Sequence, residues 1–214
     1  MLKIAVLISG SGSNLQALID AIARGEIAGR IAGVLSNRAD AYGLVRAQRA
    51  GIPTAVVAHG EFPDRAAFDA ALAQRIDAWA ADVVVLAGFM RILTPAFVSR
   101  YEGRLLNIHP SLLPKYKGLH THRRALEAGD AEHGCSVHFV TAELDGGPVV
   151  AQARVPVLPD DTEETLTGRV HAAEHRLYPR VLGWLASGDL EYRGGQLRFR
   201  GQPLAAPLQL PAAG

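Results

Sequence analysis

The stretch LKIAVLISGSGSNLQALIDAIARG, residues 2–25, decides the architecture of this chain. Leu2 to Ile8 form an aliphatic run interrupted only by Lys3, the pattern of a strand buried on both faces. A glycine turn, SGSGSN, follows it directly. Leu15, Leu18, Ile19 and Ile22 then recur at helical spacing, and Gly25 stands where a helix stops. A strand of this kind needs helices over both faces, so strand, turn and helix in this order predict a parallel sheet built from βαβ units.

The same rhythm continues downstream. Residues 31–36 predict a strand, 41–50 a helix, 54–58 a strand, and 64–80 an amphipathic helix carrying Phe68, Leu72, Ile76 and Trp79. Residues 82–88 and 104–109 are further strands, separated by a short helix starting near Pro95. The fold class expected is α/β: a doubly wound, mostly parallel sheet with right-handed crossovers, whose ligands sit beyond the carboxyl ends of the strands. Residues 134–141 and 148–157 flank a Glu-Leu-Asp-Gly-Gly turn and predict an antiparallel element toward the C-terminal half. A helix begins near 162 with an acidic first turn, and Pro179 is placed to kink it. One domain is expected over 1–190, in halves of 1–100 and 101–190, followed over 191–214 by a small hairpin at Gly194-Gly195 and a loose tail.

Composition narrows the function classes. Of 214 residues, 49% are hydrophobic and 20% charged, an ordinary globular balance. A net charge of +1 lacks the basic excess of nucleic-acid or membrane-surface binders, so neither partner is expected. Cys135 is the only cysteine, which excludes an intrachain disulfide and a cysteine-rich zinc cluster. No segment reaches the ~18 consecutive apolar residues of a spanning helix, and the N-terminal run passes at once into glycine and polar residues. A cytoplasmic protein is the expectation.

The glycine turn can bring backbone N–H groups to an anion at a helix N-terminus, which makes Gly12, Ser13 and Asn14 a candidate phosphate cradle. The dinucleotide fingerprint fails here. Leu15 occupies the place of its third glycine, and Asn37 and Arg38 stand where a ribose-binding acid belongs. A phosphate monoester therefore fits better than a dinucleotide, and a plain tight turn is the bland alternative.

The second candidate lies in NIHPSLLPKYKG, residues 107–118. Residues i and i+2 of a strand share a face, so Asn107 and His109 project together at a strand end while Ile108 points the other way. Pro110 then stops the ladder. An amide donor beside an imidazole suits a developing oxyanion, and the imidazole can also handle a proton. A nearby carboxylate would favour its charged form, and Asp145, followed by Gly146 and Gly147, is the candidate.

Taken together, SGSGSNLQA, VVVLAGFMRIL, LLNIHPSLLPKYKGLHTHRRALEAGD, GCSVHFVTAELDGGPV and AEHRLYP closely resemble the folate-dependent phosphoribosylglycinamide formyltransferases of purine biosynthesis. The resemblance spans about residues 2–190 and implies a formyltransferase fold with a Rossmann-like N-terminal half. It implies that the co-substrate is 10-formyltetrahydrofolate, that the acceptor is the amine of glycinamide ribonucleotide, and that no metal is required. The family's catalytic residues fall on Asn107, His109 and Asp145. Its ribonucleotide contacts fall on Gly12, Ser13 and Asn14 for the phosphate and on the helix segment His171, Ala172, Ala173 and Glu174. Its folate contacts fall on Arg65, Met90, Arg91, Ile92, Leu93 and Asn107, and on the loop Thr141, Ala142, Glu143, Leu144 and Asp145. A monomer or homodimer is implied. One departure stands out: the family commonly reads Lys-Tyr-Pro-Gly where this chain has Lys115-Tyr116-Lys117-Gly118.

Rival readings are weaker. His171-Ala-Ala-Glu174-His175 matches an inverted zinc-protease motif, but the only acids after it to complete a site are Asp189 and Glu191. His120, His122 and His133 read more simply as polar loop residues than as a metal cluster. A non-catalytic phosphate-binding module would explain the glycine turn and leave Asn107, His109 and Asp145 without a purpose. Among related folate enzymes, methionyl-tRNA formyltransferase typically adds a C-terminal RNA-binding domain, which 214 residues with a net charge of +1 are not expected to accommodate, and formyltetrahydrofolate hydrolase typically adds an N-terminal regulatory domain, which is not expected here.

Overall fold

Strand β1 (Leu2–Ile8) is the centre of the first half of the chain, and Ile4 to Ile8 are wholly shielded from solvent. Such a strand requires a layer over each face, and in the computed structural model, which describes residues 1–210, helices alternate with the strands through this half of the chain. The chain divides into one unit over Met1–Asn107 and a second from Ile108 onward. The first alternates α1 (Ser13–Ala23), β2 (Gly29–Ser36), α2 (Tyr42–Arg49), β3 (Thr54–Val56), α3 (Arg65–Ala78), β4 (Val83–Leu86) and α4 (Pro95–Arg100), and ends within β5 (Leu105–His109), whose last two residues belong to the second. Its strands lie in the order β3-β2-β1-β4-β5, every pair parallel. The strand order reverses between β1 and β4, the point at whose carboxyl ends sheets of this kind bind ligands. The glycine turn leaves β1 at that point.

Local chemistry sets the element ends. Asp64 accepts a hydrogen bond from the Ala67 amide and starts α3, while Thr94 does the same for Phe97 before Pro95. The apolar stripe expected of α3 is present, with Phe68, Leu72 and Ile76 buried.

The second unit contains α5 (Thr121–Glu127), β6 (Glu132–Phe139), β7 (Val149–Pro156), α6 (Glu163–Ser187), β8 (Leu190–Arg193), β9 (Gln196–Phe199), β10 (Gln202–Pro203) and β11 (Leu208–Leu210). Strands β6 and β7 pair antiparallel, and α6 packs on both through Leu166, Val170, Leu177, Val181 and Leu182. A capping box between Thr162 and Thr165 opens α6 behind Glu163 and Glu164, and Gly188 ends it at φ 80°. The helix is continuous through Pro179, which is buried in the same stripe. Strands β8, β9 and β10 form a separate antiparallel sheet around the expected turn at Gly194 and Gly195.

The tail differs from expectation. Residues 202–203 pair with β9, and Leu208–Leu210 add a parallel strand to β7, with Leu208 opposite Ala151 and Leu210 opposite Ala153. An open edge of β7 would leave unpaired backbone groups, and the alternating Leu-Gln-Leu of β11 suits a half-buried edge strand that covers them. The remainder of the expected loose tail, residues 211–214, lies outside the described residues. No helix among the described residues is long and apolar enough to cross a membrane.

Candidate active site

In the first unit the glycine turn is built by backbone contact. Gly12 caps α1 in the left-handed region at φ 70°, and a Cβ there would lie 2.5 Å from the Cα of Gly43. The Gly43 amide donates to the Gly10 carbonyl at 3.0 Å, and Arg46 Nε donates to the Ser11 carbonyl at 2.8 Å. No side chain caps α1, so the amides of its first turn, at Ser13 and Asn14, present the positive end of the helix. Beside the turn, the Ser9 hydroxyl donates to Asn37 Oδ1 at 2.6 Å and accepts from the Met90 amide at 2.8 Å. It ties together the chain leaving β1, β2 and β4. Sequence reasoning passed over Ser9, whose only signal is a hydroxyl placed directly after a buried strand.

Met90 and Ile92 are 64% and 57% exposed, an unusual position for large apolar side chains and one suited to an apolar ligand. Arg91 and Leu93 beside them are half-buried, and Arg65, the first residue of α3, is exposed.

Strand β5 presents Asn107 and His109 on one face by the alternation of the pleat, with buried Ile108 on the other. His109 is buried at 6% exposure, and both of its ring nitrogens face acceptors. Nε2 lies 2.8 Å from the Tyr116 carbonyl oxygen, and Nδ1 lies 3.5 Å from Asp145 Oδ2. A carbonyl only accepts, so we assign a proton to Nε2. The Nδ1 edge faces the carboxylate at 3.5 Å, longer than a normal hydrogen bond.

Asp145 is held from several sides. It adopts φ 48°, a left-handed conformation that side chains seldom take, on a turn where the Gly146 amide donates to the Glu143 carbonyl. Its Oδ2 accepts from the Gly118 amide at 2.9 Å, and its Oδ1 lies 3.8 Å from His138 Nε2. His138 is buried in β6 with Nδ1 against the Phe139 carbonyl at 3.0 Å; burial pushes its pKa down and favours the neutral ring. Gly147 closes the turn where a Cβ would lie 1.8 Å from the Phe139 carbonyl oxygen, so a side chain there is excluded.

The loop that carries the Tyr116 carbonyl is anchored by its own network. Ser136 Oγ accepts from the Leu113 amide and donates to the Ser111 carbonyl, and Gln152 bonds to both Leu113 and Ser136. Tyr116, at φ 55°, donates its hydroxyl to Asp130 at 2.6 Å, and Lys115 pairs with the same carboxylate at 2.9 Å. These bonds hold Asp130 below the usual carboxylate range. Lys117, the departure from the family pattern, reaches Glu143 Oε1 at 2.7 Å. His138, the Tyr116 carbonyl and the Gly118 amide were not singled out from the sequence; of these only His138, two positions from Ser136 on one strand face, left a residue-type signal.

The remaining candidates are distributed as follows. In the second unit, Ala142, Glu143 and Leu144 are exposed on the turn and Thr141 is half-buried. On α6, Ala173 and Glu174 are buried while His171 and Ala172 are exposed. His122 and His133 meet with Nδ1 and Nε2 3.1 Å apart, and His120 caps α5 at φ 58°. No group of three or more metal-ligating side chains converges among the described residues.

A family model described as Formyl transferase matches residues 2–182. The phosphoribosylglycinamide formyltransferase of Escherichia coli (strain K12) is 59% identical over 203 residues, covering 95% of this chain and 96% of that protein. Its counterpart from Haemophilus influenzae is 50% identical over 204 residues, covering 95% and 96%. The structure of the phosphoribosylglycinamide formyltransferase from Coxiella burnetii in complex with CHES superposes with a TM-score of 0.94 at 57% identity, covering 98% of this chain and 99% of that one.

Proposed function

The chain belongs to the formyl transferase family, and we propose that it moves the formyl group of 10-formyltetrahydrofolate to the amine of N1-(5-phospho-β-D-ribosyl)glycinamide, giving formylglycinamide ribonucleotide and tetrahydrofolate in de novo purine biosynthesis. One observation carries this reading: relatives bearing that enzyme's name match 95% or more of this chain, one of them at 59% identity and another at 57%.

The chemistry is acyl transfer between nitrogens. The substrate amine attacks the formyl carbon, the carbonyl oxygen takes up the electron pair, and the bond to folate N10 then breaks. One amine proton ends on N10. Asn107 donates its amide N–H to the oxyanion, and the His109 ring, protonated at Nδ1, donates from that edge. With Nε2–H bound to Tyr116, the ring cannot turn its other edge to the substrate. Asp145, which faces the ring at 3.5 Å, takes the proton from the attacking amine as the tetrahedral species forms and passes it on to N10 as that species collapses.

Substrate contacts follow residue by residue. Gly12, Ser13 and Asn14 take the ribonucleotide phosphate with the α1 amides. The segment His171, Ala172, Ala173 and Glu174 meets the rest of the ribonucleotide. Arg65, Met90, Arg91, Ile92, Leu93 and Asn107 take the folate with the loop Thr141, Ala142, Glu143, Leu144 and Asp145. The protein works in the cytoplasm as a monomer or homodimer, without nucleic acid or membrane as partner.

Incubating the protein with 10-formyltetrahydrofolate and following tetrahydrofolate formation tests the reading. Turnover that requires glycinamide ribonucleotide is expected. Turnover without it would replace the transferase with a hydrolase, and ligand binding without turnover would replace it with a binding module.

A further inference from the structure

Three consecutive residues connect the two loops beside His109. The Tyr116 carbonyl holds His109 Nε2, the Gly118 amide holds Asp145 Oδ2, and between them Lys117 Nζ reaches Glu143 Oε1 at 2.7 Å. Glu143 stands two residues before Asp145, on the same tight turn. The Lys117 carbonyl in turn accepts from Arg124 at 2.8 Å, so the backbone under the lysine is fixed while its side chain spans the gap. The turn it reaches is thinly packed: Ala142, Glu143, Leu144 and Gly146 are all exposed. Asp145 also sits there in a strained left-handed conformation. A turn with so little buried contact opens locally at small cost, and one ion pair changes the fraction that is closed.

We infer that Lys117 is a positioning residue for the transfer reaction, acting through Glu143 to hold the Asp145 turn against His109. This rests on the reading of His109 and Asp145 as the proton-handling pair. The pair is 37% and 69% exposed, so solvent screens it, and an exposed pair shifts such an equilibrium by about two- to five-fold. A proline at position 117 would stiffen the loop and provide no cation, so in this chain the closure is electrostatic and depends on salt. Other charges face the same loop: Arg124 stacks on the Tyr116 ring, and Lys115 pairs with Asp130. Lys115→Met is therefore the control.

Two measurements test the inference. In the first, kcat/KM for the folate is followed against ionic strength for wild type, Lys117→Met, Lys117→Arg and Lys115→Met. Lys117→Met is expected to lose about two- to five-fold at low salt and to match wild type at high salt, with KM for the ribonucleotide unmoved. Lys117→Arg should recover the loss, and Lys115→Met should keep the salt dependence of wild type.

The second measurement needs no substrate. Hydrogen exchange of the Gly118 amide, whose acceptor is Asp145, should quicken about two- to five-fold in Glu143→Gln at low salt and converge with wild type at high salt. Exchange that responds in a protein without formyl transfer would preserve the latch and remove the enzymatic reading. Unchanged Gly118 exchange, or a Lys117→Met loss that persists at high salt, would overturn the latch and leave the transferase intact.

Discussion

Asp145 Oδ2 lies 3.5 Å from His109 Nδ1, on the side of the ring opposite the Tyr116 carbonyl that holds Nε2 at 2.8 Å. The ring is therefore oriented by a backbone carbonyl on one edge and faces a carboxylate on the other. The group that fixes the imidazole is thus distinct from the carboxylate it faces, and each contact has its own consequence.

The tautomer is the most direct. Nitrogen-15 NMR of the imidazole should find the neutral His109 ring protonated at Nε2, because only that form bonds to a carbonyl. A neutral ring protonated at Nδ1 would contradict the assignment.

Loss of either proposed oxyanion donor should be costly in turnover. Asn107→Ala and His109→Ala are each expected to lower kcat by ~10²–10³ while the folded protein still binds ribonucleotide, as steady-state kinetics and ligand titration would record. Near-normal kcat in either variant removes that residue from the catalytic set.

Asp145→Asn keeps an oxygen for the Gly118 amide and removes the charge facing His109. General acid–base assistance commonly amounts to ~10²–10⁴, so a fall in kcat of at least ~10² is expected, with KM for the ribonucleotide within a few-fold of wild type. An equal effect on kcat and on ribonucleotide binding would point to a structural role for the carboxylate instead.

Gly12→Ala tests the phosphate cradle. Its Cβ would meet the Gly43 Cα at 2.5 Å in a left-handed backbone conformation. Stability should fall by on the order of 1–3 kcal/mol, and KM for the ribonucleotide should rise more than kcat falls. Denaturant titration and steady-state kinetics report the two effects separately. A ribonucleotide KM that does not move would remove the phosphate from this turn.

Acid stability should follow the buried histidines. Burial first, and then the charge of neighbouring His122, push His133 down to about 4, below its ordinary 6.5. Between pH 6.5 and 4 the unfolded chain binds a proton that the folded chain refuses, so stability present above pH 6.5 is lost as the pH falls through that window. The loss is on the order of 2–3 kcal/mol from this residue. His122 and His138, also lowered by burial, act in the same direction. Denaturant titrations should show a shallower acid limb in His133→Gln than in wild type, and superimposable limbs would exclude His133 as a source.

Much of this molecule is legible in its residues taken in order. The aliphatic run Leu2–Ile8 and the glycine turn behind it imply the parallel sheet, because a strand apolar on both faces has few other environments. The two-residue spacing of Asn107 and His109 implies a shared face, because strand side chains alternate strictly. Tertiary structure alone decided which groups meet that face. The Tyr116 carbonyl, the Gly118 amide and the Lys117–Glu143 pair come from loops, and their aim depends on left-handed turns at Tyr116 and Asp145 that residue type does not announce. The same holds for Leu208–Leu210, which read as tail until the edge of β7 was there to receive them. Periodicity is a property of consecutive residues, whereas backbone donors, backbone acceptors and open strand edges acquire partners only when distant segments fold together.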